Sequence, residues 1–137
     1  MKVVFDTNVY VSAFLIPGSQ GDRAFLLARR KSVLLYSSVP ILTETARVLR
    51  TKFDQTDADI RTALKIIARA AFIVRPSIKV TVLADTPDNR ILECAVEARA
   101  NLIVTGDRHM LQIKKFEDIA IIRLADFLRM FPAKGRT

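Results

Sequence analysis

The chain predicts an α/β fold in which a mostly parallel sheet carries helices on both faces. Three observations lead there. Short apolar runs alternate with segments of helical periodicity, turn residues separate them, and that order persists from one end of the chain to the other. At 137 residues, half of them apolar and about a quarter charged, the length suits one domain with a substantial core. We therefore expect a single domain over residues 1–137, with a frayed tail from about residue 131.

Val3-Val4-Phe5 is an apolar run closed by Asp6, and Val9, Tyr10, Ala13 and Phe14 follow at helical spacing. Pro17-Gly18-Ser19 interrupts that helix, and Ala24, Phe25, Leu27 and Ala28 mark a second one, running into Arg29-Arg30-Lys31. Val33 to Tyr36 reads as the second strand. Ser38 is placed to cap the next helix, Pro40 fits its first turn, and Ile41, Leu42, Thr45, Val48 and Leu49 form its stripe. A longer helix is predicted from about Asp57 to Ala71, then a strand over Phe72-Ile73-Val74. Thr86 is the expected cap of a helix with Pro87 first and Ile91, Leu92, Ala95 and Ala98 buried. Leu102-Ile103-Val104, a short helix after Asp107, a strand at Ile119 to Ile122 and a helix from Leu124 to Met130 complete the order.

Charge and composition narrow the function. Lys and Arg exceed Asp and Glu by 8, a surplus that attracts polyanions such as nucleic acid at long range. No apolar run approaches the roughly 20 residues of a membrane span, and Met1 to Asp6 has no signal-peptide core. A cytoplasmic location is expected, and the lone cysteine, Cys94, is read as core packing. With one histidine, His109, a His-based zinc site is excluded, and His109 is read as support for the loop after Asp107. The four glycines form neither a Walker loop nor a dinucleotide fingerprint, and no serine sits in a nucleophile elbow.

What remains is acidic. Asp6 and Asp107 each follow a strand end, where open parallel sheets bind ligands, although an Asp there also caps the next helix. Glu44 falls about 40° round its helix from Val48, at the border of the buried stripe, whereas Arg47 and Arg50 lie toward solvent. Asp88 occupies the first turn of its helix, exposed toward the crevice, with Asp85 as a second cap or outer ligand. Glu93 and Glu97 fall with Arg90 on the face opposite Ile91 and are read as solvated. Carboxylates brought together repel one another and take up protons unless a cation lies between them. Oxygen ligands of this kind select Mg²⁺ or Mn²⁺, which with a substrate phosphate activate water and stabilise a leaving oxygen.

Phe5-Asp6-Thr7-Asn8-Val9, Glu44 in its helix, Thr86-Pro87-Asp88-Asn89 with Ile91 to Ala95, and Val104-Thr105-Gly106-Asp107 together resemble the PIN-domain family. The likeness runs from residue 2 to about 130 and is strongest toward the VapC-like ribonucleases of toxin-antitoxin systems. It implies a three-layer α/β/α sandwich around four or five mostly parallel strands. It also implies a hydrolase that cleaves RNA phosphodiesters with Asp6, Glu44, Asp88 and Asp107 as catalytic residues and as ligands of one or two Mg²⁺ or Mn²⁺ ions. Asn8 and Thr105 match polar positions that steady those acids. Where many relatives carry a further acid beside the third catalytic Asp, this chain has Pro87, and Asp85 is its partial substitute. The resemblance further implies a homodimer and a small antitoxin partner.

Two other classes compete. One is a PIN-like module that binds RNA or protein without cutting. The other is a phosphotransfer domain, but a phosphatase of that type needs an aspartate two residues after the first, where Asn8 stands, and a receiver needs an acidic pair. Substrate contacts are unassigned; Arg23, Arg29, Arg30, Arg47 and Arg108 are the candidates.

Overall fold

The computed structural model describes residues 1–132. In chain order the elements are β1 (Lys2–Phe5), α1 (Thr7–Leu15), α2 (Gln20–Arg29), β2 (Leu34–Ser37), α3 (Val39–Thr51), α4 (Asp57–Ala70) and β3 (Ala71–Ile73). Then come α5 (Thr86–Ala98), β4 (Leu102–Thr105), α6 (Arg108–Ile113), β5 (Lys115–Phe116), β6 (Ile119–Arg123) and α7 (Leu124–Arg129).

The sheet has the order β3-β2-β1-β4-β6-β5. Five strands run parallel, with Val4 opposite both Tyr36 and Ile103 and Phe5 opposite Val104. The sixth, β5, is a two-residue strand antiparallel to β6, turned by Glu117 in a left-handed conformation (φ 54°). No apolar alternation announces so short a strand, which is why the sequence predicts only the parallel five. From β1 the chain runs outward through β2 to β3, then returns to the other side of β1 as β4. The C-terminal ends of β1 and β4 therefore flank the switch point where such sheets open a crevice.

Successive strand residues face opposite sides of a sheet. Val3, Val4 and Phe5 are all fully buried, so helices cover both faces of the central strand. One layer is knit by aromatic contacts: Phe5 meets Tyr10 and Phe127 at ring distances of 5.9 and 5.8 Å, and Tyr10 meets Phe25 at 6.1 Å. On the other side α5 packs along β1, β2 and β4. Phe131, inside the expected tail, packs on Phe127 at 5.3 Å; residues 133–137 of that tail lie outside the described residues. Among the described residues no helix is long and apolar enough to cross a membrane.

Smaller departures concern boundaries. Strand β2 begins at Leu34 rather than Val33, and β3 at Ala71, ending at Ile73. Ser38 does stand at the N-cap of α3, yet its buried hydroxyl makes no capping bond. Helix α5 starts at Thr86, with Asp85 in the cap position, one residue earlier than predicted.

Helices α1 and α2 approach so closely that Gly21 has no room for a side chain. A Cβ there would stand 2.7 Å from the Val9 carbonyl oxygen and 2.8 Å from Ser12 Cβ. Ala is ordinarily better than Gly in a helix by about 1 kcal/mol. Here the clash is with backbone, so Gly21→Ala is expected to destabilise the protein by about 1–3 kcal/mol in urea unfolding. A raised midpoint would mean that the two helices are not in contact at this point.

Candidate active site

Asp6 leaves β1 and caps α1: its Oδ1 accepts from the Val9 backbone N–H at 3.2 Å. Asp107 does the same for α6, accepting from Met110 N–H at 3.0 Å. Capping engages one oxygen of each carboxylate and so does not by itself exclude a ligand role for the acid. Thr105, fully buried at the end of β4, links the two. Its hydroxyl donates to Asp6 Oδ2 and accepts from Asp107 N–H at 3.0 Å.

Burial pushes the Asp6 carboxyl above its ordinary value, opposed by the Thr105 hydroxyl and by backbone N–H groups of Val9, Gly106 and Asn8. Asn8 thus serves Asp6 through its backbone, while its side chain is exposed. The family resemblance implies a steadying role for Asn8, and its backbone N–H is the part that bonds Asp6.

Asp88 departs furthest from expectation. It is 8% exposed rather than open to solvent. Asp88 stands four residues before Leu92 and seven before Ala95, on the same buried stripe of α5. Its Oδ2 is buried with no hydrogen-bond partner among the described residues. Burial, then the charges of Asp107, Asp85, Asp6 and Glu44, push its carboxyl up to about 7. The other three predicted acids, and Asp85, are thus near enough for their charges to act on Asp88.

Glu44 lies where its helical angle predicts, partly buried at the edge of the α3 stripe. Arg47, read from sequence as facing solvent and open to RNA, is exposed but pairs with it, Nε to Oε1 at 2.7 Å and Nη2 to Oε2 at 2.9 Å. Residues three apart on a helix share a face, and that spacing favours the pair. The guanidinium lowers the Glu44 carboxyl below its ordinary value.

Among the described residues no three acidic, His or Cys side chains close into a ready-made ligand shell. Arg47 occupies both carboxylate oxygens of Glu44. The donor set nevertheless suits a hard divalent cation: carboxylate oxygens from four elements, one of them buried and without a donor.

The family model described as PIN domain matches residues 2–109. This chain belongs to the PIN domain family. It is 29% identical over 118 residues to MJ1680 of Methanocaldococcus jannaschii, itself uncharacterized, an alignment spanning 83% of this chain and 76% of that protein. Among solved structures it resembles VapBC2 from Rickettsia felis bound to a DNA fragment from their promoter. There the TM-score is 0.65 at 17% identity, covering 90% of this chain and 98% of that one. The likeness extends the fold assignment: an α/β PIN architecture with a mostly parallel sheet.

Sequence reasoning missed what this PIN domain does with Glu93. The residue is 5% exposed, accepts from Val80 N–H at 2.8 Å and pairs with Arg90 at 2.9 Å. It is not solvated because residues 74–85 run along the outer face of α5. Asn89 clasps Leu83 through both amide atoms at 2.9 and 2.8 Å, and Glu97 accepts from Ser77 N–H at 2.9 Å. A polar residue at every fourth position of α5, beside a long stretch with no element of its own, was the available signal.

That strap and α6 bound a cleft of about 610 Å³ lined by Val82, Leu83, Asp85, Asp88, His109 and Gln112. His109 therefore borders the crevice from an exposed position on α6. Cys94 is core, as read, its buried thiol pushed up to about 12.

Proposed function

We propose that this PIN domain is a divalent-metal-dependent endoribonuclease, the toxin of a toxin-antitoxin pair. Asp6, Glu44, Asp88 and Asp107 would hold one or two Mg²⁺ or Mn²⁺ ions, with Asp85 as an outer acid. The observation that carries the reading is the buried, donorless oxygen of Asp88 facing the charges of the other three acids. A group so placed is costly unless a cation satisfies it.

When bound, such an ion polarises the phosphate and lowers the pKa of its water. The residues prepare that site. Thr105 fixes the orientation of Asp6 and, through the Asp107 backbone, the turn that carries the other strand-end acid. Asp88 would hold the ion through the buried oxygen that has no hydrogen-bond donor among the described residues. Glu44 would serve as a ligand only apart from Arg47, whose guanidinium has the fork geometry that grips a phosphate oxygen pair. The net charge of +8 draws RNA toward a pocket that would otherwise repel it. A small antitoxin and a second copy of the chain are the partners this reading assigns; the Rickettsia felis neighbour is a VapBC2 assembly on promoter DNA.

The test is RNA cleavage with Mn²⁺. Purified protein is expected to cut mixed RNA substrates and Asp6→Asn to leave them intact, while expression without a partner slows growth and Asp107→Asn relieves it. Intact RNA with the unmutated protein, and RNA affinity unchanged by Asp6→Asn, would instead establish a binding module.

A further inference from the structure

We propose that the cleft between residues 74–85 and α6 receives the nucleobase next to the phosphate that is cut, with His109 and Gln112 as the residues that hold it. The proposal rests on the ribonuclease reading and adds a specificity site to it.

Continuity is the first argument. Asp88 is one of the four acids of the proposed site and also part of the cleft wall. A nucleotide whose phosphate lies at the cluster has its base within reach of the adjoining cavity. The volume, about 610 Å³, lies in the roughly 300–1,000 Å³ range of small-ligand sites.

Charge decides which part of the nucleotide enters. Asp85 and Asp88 line the cleft, and among the described residues no Lys or Arg does, so a phosphate is repelled while an uncharged base is not. Chemistry then sorts the walls. Val82 and Leu83 offer an apolar side, held in place because Asn89 clasps Leu83 and Glu93 binds Val80 N–H. Across from them, on α6, His109 offers a flat ring and Gln112 an amide with both donors and an acceptor. Single-stranded RNA is read in this way, by stacking on flat side chains and by hydrogen bonds to splayed base edges.

The experiment exploits the single histidine of the chain, whose imidazole C–H signals report on this position alone. The full chain with Mg²⁺ is titrated with each of the four ribonucleoside 5′-monophosphates. Saturable shifts of the His109 signals are expected, with Gln112→Leu weakening binding about tenfold. In cleavage of oligoribonucleotides, His109→Ala is expected to raise KM about tenfold, the scale of one lost stacking contact, with kcat within about threefold and a changed base preference beside the cut.

Unmoved His109 signals overturn the proposal, as do variants whose KM and cleavage pattern match the unmutated protein. If the signals shift saturably but no RNA is cut with Mn²⁺, the nucleotide cleft stands and the ribonuclease reading falls. If neither occurs, both fall.

Discussion

Asp88→Asn is expected to lower RNA cleavage at least a hundredfold while making the metal-free protein more stable at pH 8. Loss of an outer partner of a metal ligand typically costs about 10–100-fold, and Asp88 is proposed as a ligand itself. The stability effect follows from its environment. In the fold its carboxyl titrates near 7, against 3.8 when unfolded. The folded state thus holds a proton that the unfolded state has released, so stability falls as pH rises from about 4 to about 7. The full shift corresponds to a ceiling of about 4 kcal/mol, and relaxation leaves an expected gain of about 1–2 kcal/mol for the asparagine at pH 8. Denaturant unfolding at pH 5 and pH 8 measures it: the unmutated protein should lose stability between the two, the variant much less. Cleavage within tenfold of normal, or identical pH profiles, would contradict the assignment of Asp88 as the strained centre of the site.

The second large effect lies behind the site. Glu93→Ala leaves the Val80 N–H without its acceptor and Arg90 without its partner in a buried setting. The expected loss is about 2–4 kcal/mol, with new protease cleavage inside 74–85. Glu93→Gln, which keeps an acceptor, should recover a good part. Glu97→Ala removes a hydrogen-bond pair to Ser77 that stands in solvent and should cost under about 0.5 kcal/mol. Equal losses from Glu93→Ala and Glu97→Ala would show that the strap is not anchored through the buried pair. Because the strap ends at Asp85, its release should also weaken cleavage.

These two residues show where the sequence is legible and where it is not. Strand and helix order follows from apolar periodicity, which is local, and it places Asp6 and Asp107 each past a strand end; that the two strands are neighbours is a matter of sheet order, which periodicity does not carry. The edge position of Glu44 follows from helical angle alone. Asp88 and Glu93 are misread for one reason: periodicity ranks the faces of a helix but does not say what covers them. Asp88 shares the inner face of Leu92 and Ala95, where neighbouring elements cover it, and a strap without periodicity buries Glu93 on the outer one. Arg47 teaches the same lesson in charge, since its pairing with Glu44 depends on side-chain reach. The two-residue strand β5 carries too few residues for any pattern.

The most direct measurement is the anomalous scattering of Mn²⁺ in crystals of the full chain. A peak is expected among the carboxylates of Asp6, Asp88 and Asp107, with Glu44 turned from Arg47 toward it, and no peak at that place in Asp88→Asn crystals. Manganese bound only elsewhere on the protein, or an empty crevice at millimolar Mn²⁺, would contradict the four-acid metal site.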